Sequence, residues 1–227
     1  MEELQNSFGL NFHNFDADNI QTDETINCVF VIDKSGSVTY YVQDMNNALN
    51  DFLHTMQASH VADKLLVSTI EFNGNVEVTN GFQPIANVKD YDVKPNGLTA
   101  LYDAVMAGLE NACNYRKQLQ DSGLTAKTLV FIITDGNDNA SKTKASDIKA
   151  KLAQIYADEM NAFTFTVIMF GVGNEGDFDY AREAMGIDKN LMAKVGTTGA
   201  EIRKMIGFIS SSVSSSASGS MLTSIQF

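Results

Sequence analysis

The chain has 227 residues, enough for one large domain or a domain with appendages, and 44% of them are hydrophobic, which supplies a packed core. Two Pro and 16 Gly exclude a collagen-like or Pro-rich scaffold. Sixteen Lys and Arg against 28 Asp and Glu leave a formal charge of −12, which counts against a nonspecific grip on nucleic acid or anionic lipid, because both need a basic face.

Residues 1–24 are polar and rich in Asn and Asp, and their one alternating patch (Leu10, Phe12, Phe15) is suited to adding a strand or binding a neighbour. The apolar run 28–32 predicts a strand buried on both faces, as in a parallel sheet. Val42, Met45, Leu49, Phe52, Leu53 and Met56 then fall on one helical stripe. A second strand, 65–72, leads into Asn73-Gly74, a hairpin signal, so 76–82 returns antiparallel, and Pro84 ends it as suits a sheet edge. Leu101, Val105, Leu109, Ala112 and Tyr115 mark a second helix, followed by a strand at 129–133. Ile148, Leu152 and Ile155 mark a third helix, followed by strands at 163–172 and 191–195.

Near the end, Thr198 and Glu201 form a capping box that opens a helix with Ile202, Met205, Ile206, Ile209 and Val213 on its core face. The serine-rich stretch 210–220 continues that helix in its first half and is expected to be mobile in its second. Strands alternating with helices predict an α/β fold with three layers, doubly wound and Rossmann-like. Its central sheet is six-stranded and mostly parallel, with one antiparallel edge strand and helices on both faces. The organisation expected is a polar extension at 1–24, one domain at 25–213 and a Ser-rich tail at 214–227.

Cys28 and Cys113 cannot make a disulfide framework and read as reduced thiols. The acidic start, Met1-Glu2-Glu3-Leu4, has no signal-peptide character, and no apolar run approaches the roughly 20 residues that cross a bilayer. These features predict a soluble, cytoplasmic protein.

Chemistry concentrates at strand ends. The first strand runs into Asp33-Lys34-Ser35-Gly36-Ser37, and the carboxyl end of a strand is where open α/β sheets bind ligands. A carboxylate and two hydroxyls at alternate positions face one point if the loop curls, and oxygen-only donors suit a hard cation such as Mg²⁺. The strand at 129–133 ends in Thr134-Asp135-Gly136, and the point where strand order reverses would bring Asp33 and Asp135 together. A third loop, Asn96-Gly97-Leu98-Thr99, offers the Thr99 hydroxyl just before a helix. Taken singly, Asp33 also reads as a helix N-cap with Ser35 and Ser37 as turn residues, and Thr99 as the N-cap of its own helix. Asn137, Asp138 and Asn139 read as a solvated loop, and Asp103 as helix-end electrostatics.

Asp-x-Ser-x-Ser, a Thr in Gly-x-Thr-Ala-Leu-Tyr-Asp, and Thr-Asp-Gly, in this order over about residues 25–213, resemble the von Willebrand factor A family and its metal-ion-dependent adhesion site. The resemblance implies that Ser35 and Ser37 bind the metal directly, and that Asp33 and Asp135 stand in its first or second shell. Thr99 would engage directly or through water, and a carboxylate of a partner protein would take the open position. Mg²⁺ is the implied cation, with Mn²⁺ as substitute and Ca²⁺ a poorer fit. Leu98 departs from the family pattern, in which many relatives carry a second Gly. The family also implies coupling between Thr99 engagement and movement of the last helix. The Ser-rich end is similar to tails of bacterial A-domain proteins associated with tellurite resistance and stress signalling.

A binding module, not an enzyme, is therefore the expected function, with no membrane partner. Two other classes fit parts of the pattern. A metal-dependent phosphoryl-transfer enzyme shares the acidic strand ends, but no nucleophile or general base is evident beyond the ligands. An RNA-binding adaptor, known in the family, is opposed by the charge of −12. Gly171-Val172-Gly173-Asn174-Glu175-Gly176 matches a dinucleotide fingerprint but follows the fifth strand rather than the first, and reads as a tight strand-to-helix turn. His13, His54 and His60 have no zinc-ligand spacing.

Overall fold

The computed structural model describes residues 7–158, 163–173, 177–219 and 224–225. In chain order the strands are β1 (Glu24–Asp33), β2 (Leu65–Phe72), β3 (Val76–Pro84), β4 (Thr125–Thr134), β5 (Phe165–Val172) and β6 (Met192–Val195). The helices are α1 (Val42–Gln57), α2 (Leu101–Asp121), α3 (Ala145–Ala157), α4 (Phe178–Met185) and α5 (Gly199–Ala217). The strands form a six-stranded sheet in the order β3-β2-β1-β4-β5-β6. Only the β2–β3 pairing is antiparallel, and it sits at an edge.

The central strand β1 explains the layering. Ile26, Cys28, Phe30 and Ile32 point to a core shared with Met45, Leu49 and Phe52 of α1 and with Ile202, Met205 and Ile209 of α5. Val29 and Val31 point the other way, to a core built with α2, α3 and α4. Two-faced burial is why β1 reads as a continuous apolar run rather than an alternating one. Strand order reverses between β1 and β4, so the carboxyl ends of these two strands open side by side.

The expected elements are present, with shifted limits. The strand expected at 163–172 starts at Phe165, since Phe163 lies in a helical turn and is 67% exposed. Leu191 closes a 3₁₀ turn ahead of β6. The Thr198–Glu201 capping box forms, and α5 continues through the serine run to Ala217, with Ser212 and Ser216 buried. Ile225 donates its N–H to the Asn190 carbonyl at 2.7 Å and packs on the α1/α5 core, while 220–223 lie outside the described residues.

The N-terminal segment packs on its own domain: Ser7 bonds to Glu110 of α2, and residues 12–15 lie beside β3. Phe12 enters the α2-side core, the Phe15 N–H donates to the Phe82 carbonyl at 2.7 Å, and the Phe82 N–H donates to Asn14 Oδ1 at 2.8 Å. Gly81 admits this path, because a Cβ there would lie 1.5 Å from the Phe12 carbonyl oxygen. The cysteines are both free, and burial pushes the Cys28 thiol up. Among the described residues no helix is long and apolar enough to cross a membrane.

Candidate metal centre

Four of the five expected site residues form one hydrogen-bonded chain at the carboxyl ends of β1 and β4. Asp33 closes β1 and is 1% exposed. Its Oδ1 accepts the Ser35 N–H at 2.8 Å, an arrangement that curls the loop, and its Oδ2 accepts the Thr134 hydroxyl at 2.7 Å. The Ser35 and Ser37 hydroxyl oxygens lie 3.1 Å apart, and the Ser37 hydroxyl donates to Asp135 Oδ2. Gly136, next to Asp135, holds a φ of +95° that side chains disfavour, and its N–H donates to Thr134 Oγ1 at 3.0 Å.

Thr99 reaches the same rim from the third loop. The Gly36 N–H donates to the Gly97 carbonyl at 3.1 Å, which joins the two hydroxyl-bearing loops. The Thr99 N–H donates to Asn139 Oδ1 at 2.8 Å, and its carbonyl accepts from the Asn139 and Ala140 N–H groups. The N-cap of α2 is Ala100, not Thr99, and it has no side-chain cap. That role falls to the 137–139 segment expected to be a solvated loop and to its neighbour: Asp138 Oδ1 accepts the Tyr102 N–H at 3.4 Å and Ser141 Oγ accepts the Asp103 N–H at 3.1 Å. Asp103 in turn accepts from the Lys142 and Thr143 N–H groups, so it pins the β4–α3 loop as well as favouring the helix end.

The electrostatics are one-sided. Burial pushes the Asp33 carboxyl up to about 6; hydrogen bonds from Ser35 and Thr134 pull it back, and the charge of Asp135 adds to the rise. Tyr41, 4% exposed, is pushed up by burial and by Asp135 and Asp33, so it stands beside them as a neutral phenol. Lys34 does not answer these charges. Its ammonium lies 3.3 Å from Glu71 and also pairs with Glu77; burial opposes its charge, but these carboxylates outweigh that and hold it above its ordinary value.

Among the described residues no three His, Cys, Asp or Glu side chains gather to hold a metal. A cation here must therefore draw on hydroxyls and water alongside the carboxylates. Two carboxylates without a basic partner, one of them buried, and two hydroxyl oxygens in a row are a donor set that fits a hard divalent cation.

Tyr41 escaped the sequence reading, Thr134 entered it only as the residue before Asp135, and Asn139 only as part of a loop read as solvated. Thr134 ends an apolar strand beside the Asp already singled out, which is a usable signal; Asn139 and Tyr41 act through loop geometry that no spacing reveals. The Gly171–Gly173 turn is explained by packing, since a Cβ on Gly171 would lie 2.4 Å from the Phe178 ring, and the rest of the fingerprint, 174–176, lies outside the described residues.

The chain resembles known proteins in the same terms. It is 24% identical to the mouse (Mus musculus) inter-alpha-trypsin inhibitor heavy chain H2 over 185 residues, 74% of this chain but 18% of that protein. The pilus adhesin SpaC of Lactobacillus rhamnosus GG superposes with a TM-score of 0.61 at 12% identity, covering 85% of this chain and 30% of that one. Proximal thread matrix protein 1 of the mussel byssus, in a structure with a zinc-occupied MIDAS motif, superposes with a TM-score of 0.55 at 18% identity, over 84% of this chain and 46% of that one. The chain thus spans less than half the length of each. The von Willebrand factor type A domain profile matches residues 27–205, and the chain belongs to that family.

Proposed function

We propose that this chain is a cation-dependent protein-binding domain. Asp33, Ser35, Ser37, Thr99 and Asp135 hold Mg²⁺, with Mn²⁺ able to take its place, and the open position accepts a carboxylate from a partner protein. The observation that carries this reading is the continuous chain Thr134–Asp33–Ser35–Ser37–Asp135 at the reversal point of the sheet, with Lys34 engaged elsewhere. When bound, the cation supplies a positive centre that attracts and orients an external anion. The chain's own residues set that up: Asp33 and Thr134 hold the loop curled, Asp135 orients the Ser37 hydroxyl, and Asn139 fixes the Thr99 backbone. The hydroxyls add no charge of their own, so a cation held there retains positive character.

The zinc-occupied motif of the mussel protein and the adhesin identity of SpaC support the reading. The test is titration calorimetry of the chelator-treated protein with Mg²⁺ and Mn²⁺, beside Asp33→Asn and Asp135→Asn. One binding event lost in both variants is the expected result. No uptake by the wild-type protein, or uptake retained in both variants, overturns the reading.

A further inference from the structure

Three loops surround the candidate centre, and two of them carry large apolar side chains facing water. In the first, Tyr41 is 4% exposed and turns inward, while its neighbour Tyr40 is 92% exposed. In the second, Thr99 is 3% exposed and turns inward, while its neighbour Leu98 is 57% exposed. The hydrogen bond from Gly36 to Gly97 brings these loops into contact, and a Cβ on Gly74 would lie 3.6 Å from Leu98 Cβ, which sets Leu98 against the β2–β3 hairpin. Five large hydrophobic side chains are exposed among the described residues: Tyr40, Leu98, Tyr156, Phe163 and Tyr180. Tyr40 and Leu98 lie in the loops of Ser37 and Thr99, and Tyr180 lies in the first turn of α4, which also starts from the carboxyl end of the sheet.

The third loop, which follows β4, is different. It carries Asp135 and Asp138, and the Lys34 ammonium is engaged by Glu71 and Glu77. The two hydroxyl-bearing loops therefore present exposed apolar side chains, whereas the loop after β4 carries charges of both signs, Asp135 and Asp138 with the exposed Lys142 and Lys144.

We infer that Tyr40 and Leu98 are specificity determinants that select a protein loop presenting one carboxylate flanked by apolar or aromatic side chains. The inference rests on the metal reading above. It follows from what each part of the rim attracts. A cation draws any carboxylate, and only an apolar neighbour gains by covering Tyr40 and Leu98.

The probes are three capped pentapeptides with a central aspartate flanked on both sides by phenylalanine, by serine or by aspartate. They are titrated into the ¹⁵N-labelled full chain with saturating Mg²⁺ and again with EDTA, after Mg²⁺ uptake has been measured by calorimetry. The phenylalanine-flanked peptide is expected to bind roughly 10-fold tighter than the serine-flanked one, and the aspartate-flanked peptide no tighter than the serine-flanked one. In Tyr40→Ser/Leu98→Ser the preference should fall within about 2-fold while Mg²⁺ uptake is unchanged. Mg²⁺ uptake with no preference among the peptides, including no binding of any, overturns the inference and leaves the metal reading standing. A preference that survives the double variant, or that persists in EDTA, also overturns it. Absence of Mg²⁺ uptake overturns the metal reading and the inference together.

Discussion

The carboxyl end of the sheet and its β3 edge both contain buried polar side chains, Asp33 and Ser35 at one and Ser68 and Asn111 at the other, and they satisfy them in opposite ways. At the edge, neutral donors and acceptors close on one another. Asn14 Nδ2 donates to Asn111 Oδ1 at 2.9 Å, Asn111 Nδ2 donates to Ser68 Oγ at 3.2 Å, and Ser68 Oγ donates to the Asn80 carbonyl at 3.1 Å. At the carboxyl end the network is made of oxygens and includes two carboxylates, so it remains electron-rich however its hydroxyls are turned. A closed network holds a segment in place, whereas one with surplus negative charge is completed by something from outside. The difference separates a structural polar cluster from a candidate site without appeal to motif.

The largest expected effect tests that surplus directly. Asp33→Asn keeps an acceptor for the Ser35 N–H but removes the charge, so Mg²⁺ affinity should fall by at least roughly 100-fold in calorimetry. Stability should move the other way. A carboxyl raised in the folded state contributes stability that is present below its ordinary value of 3.8 and lost as pH rises through about 6. Without cation at pH 7, Asp33→Asn should therefore be more stable than wild type, by on the order of 1–2 kcal/mol in urea unfolding. Unchanged Mg²⁺ uptake would remove Asp33 from the site; lower stability would show that its charge is already balanced within the chain.

At the edge the sign is conventional. In Gly81→Ala the new Cβ would overlap the Phe12 carbonyl, so the N-terminal segment must lift and Phe12 lose its burial, at about 2–4 kcal/mol by urea unfolding. The bared β3 edge should also promote self-association, visible by light scattering, since unpaired strand edges template further pairing. Mg²⁺ uptake should stay within about 2-fold. A smaller loss of about 1–3 kcal/mol is expected for Asn14→Ala, which leaves the Phe82 N–H and Asn111 Oδ1 without their partner.

The two regions also differ in how far residues announce them. The site loops follow dense apolar strands, so their carboxylates and hydroxyls stand out against what precedes them, and the order Asp33, Ser35, Ser37, Thr99, Asp135 could be read before any coordinates. The sheet was legible for the same reason, through β1, β2 and β4. The N-terminal segment was not. Leu10, Phe12 and Phe15 suggested only a strand or a neighbour, because the segment is held by single side chains in irregular backbone rather than by a period. Gly81 looks like any other glycine in a strand until the Phe12 carbonyl is beside it. The edges of elements were read less well than their centres: Phe163 faces water and Leu191 packs on the core from a 3₁₀ turn, so an apolar residue at the end of a run does not mark where strand pairing begins.

The finest expected effect lies between the two regimes, at Asn139. It is a neutral side chain serving the charged site, since its Oδ1 accepts the Thr99 N–H at 2.8 Å while the Asn139 and Ala140 N–H groups hold the Thr99 carbonyl. Asn139→Ala removes only the first contact, so the loop keeps its backbone anchors and stability should fall by about 0.5–1.5 kcal/mol, less than for Asn14→Ala. If Thr99 contributes to the cation, freeing its N–H loosens that contribution, and Mg²⁺ affinity should drop roughly 3- to 10-fold, a change Asn14→Ala should not produce. Measuring both variants by urea unfolding and by Mg²⁺ calorimetry separates the cases. A stability loss alone in Asn139→Ala would place Thr99 among the structural residues of the rim, and an affinity loss beyond its stability loss would place it with Asp33.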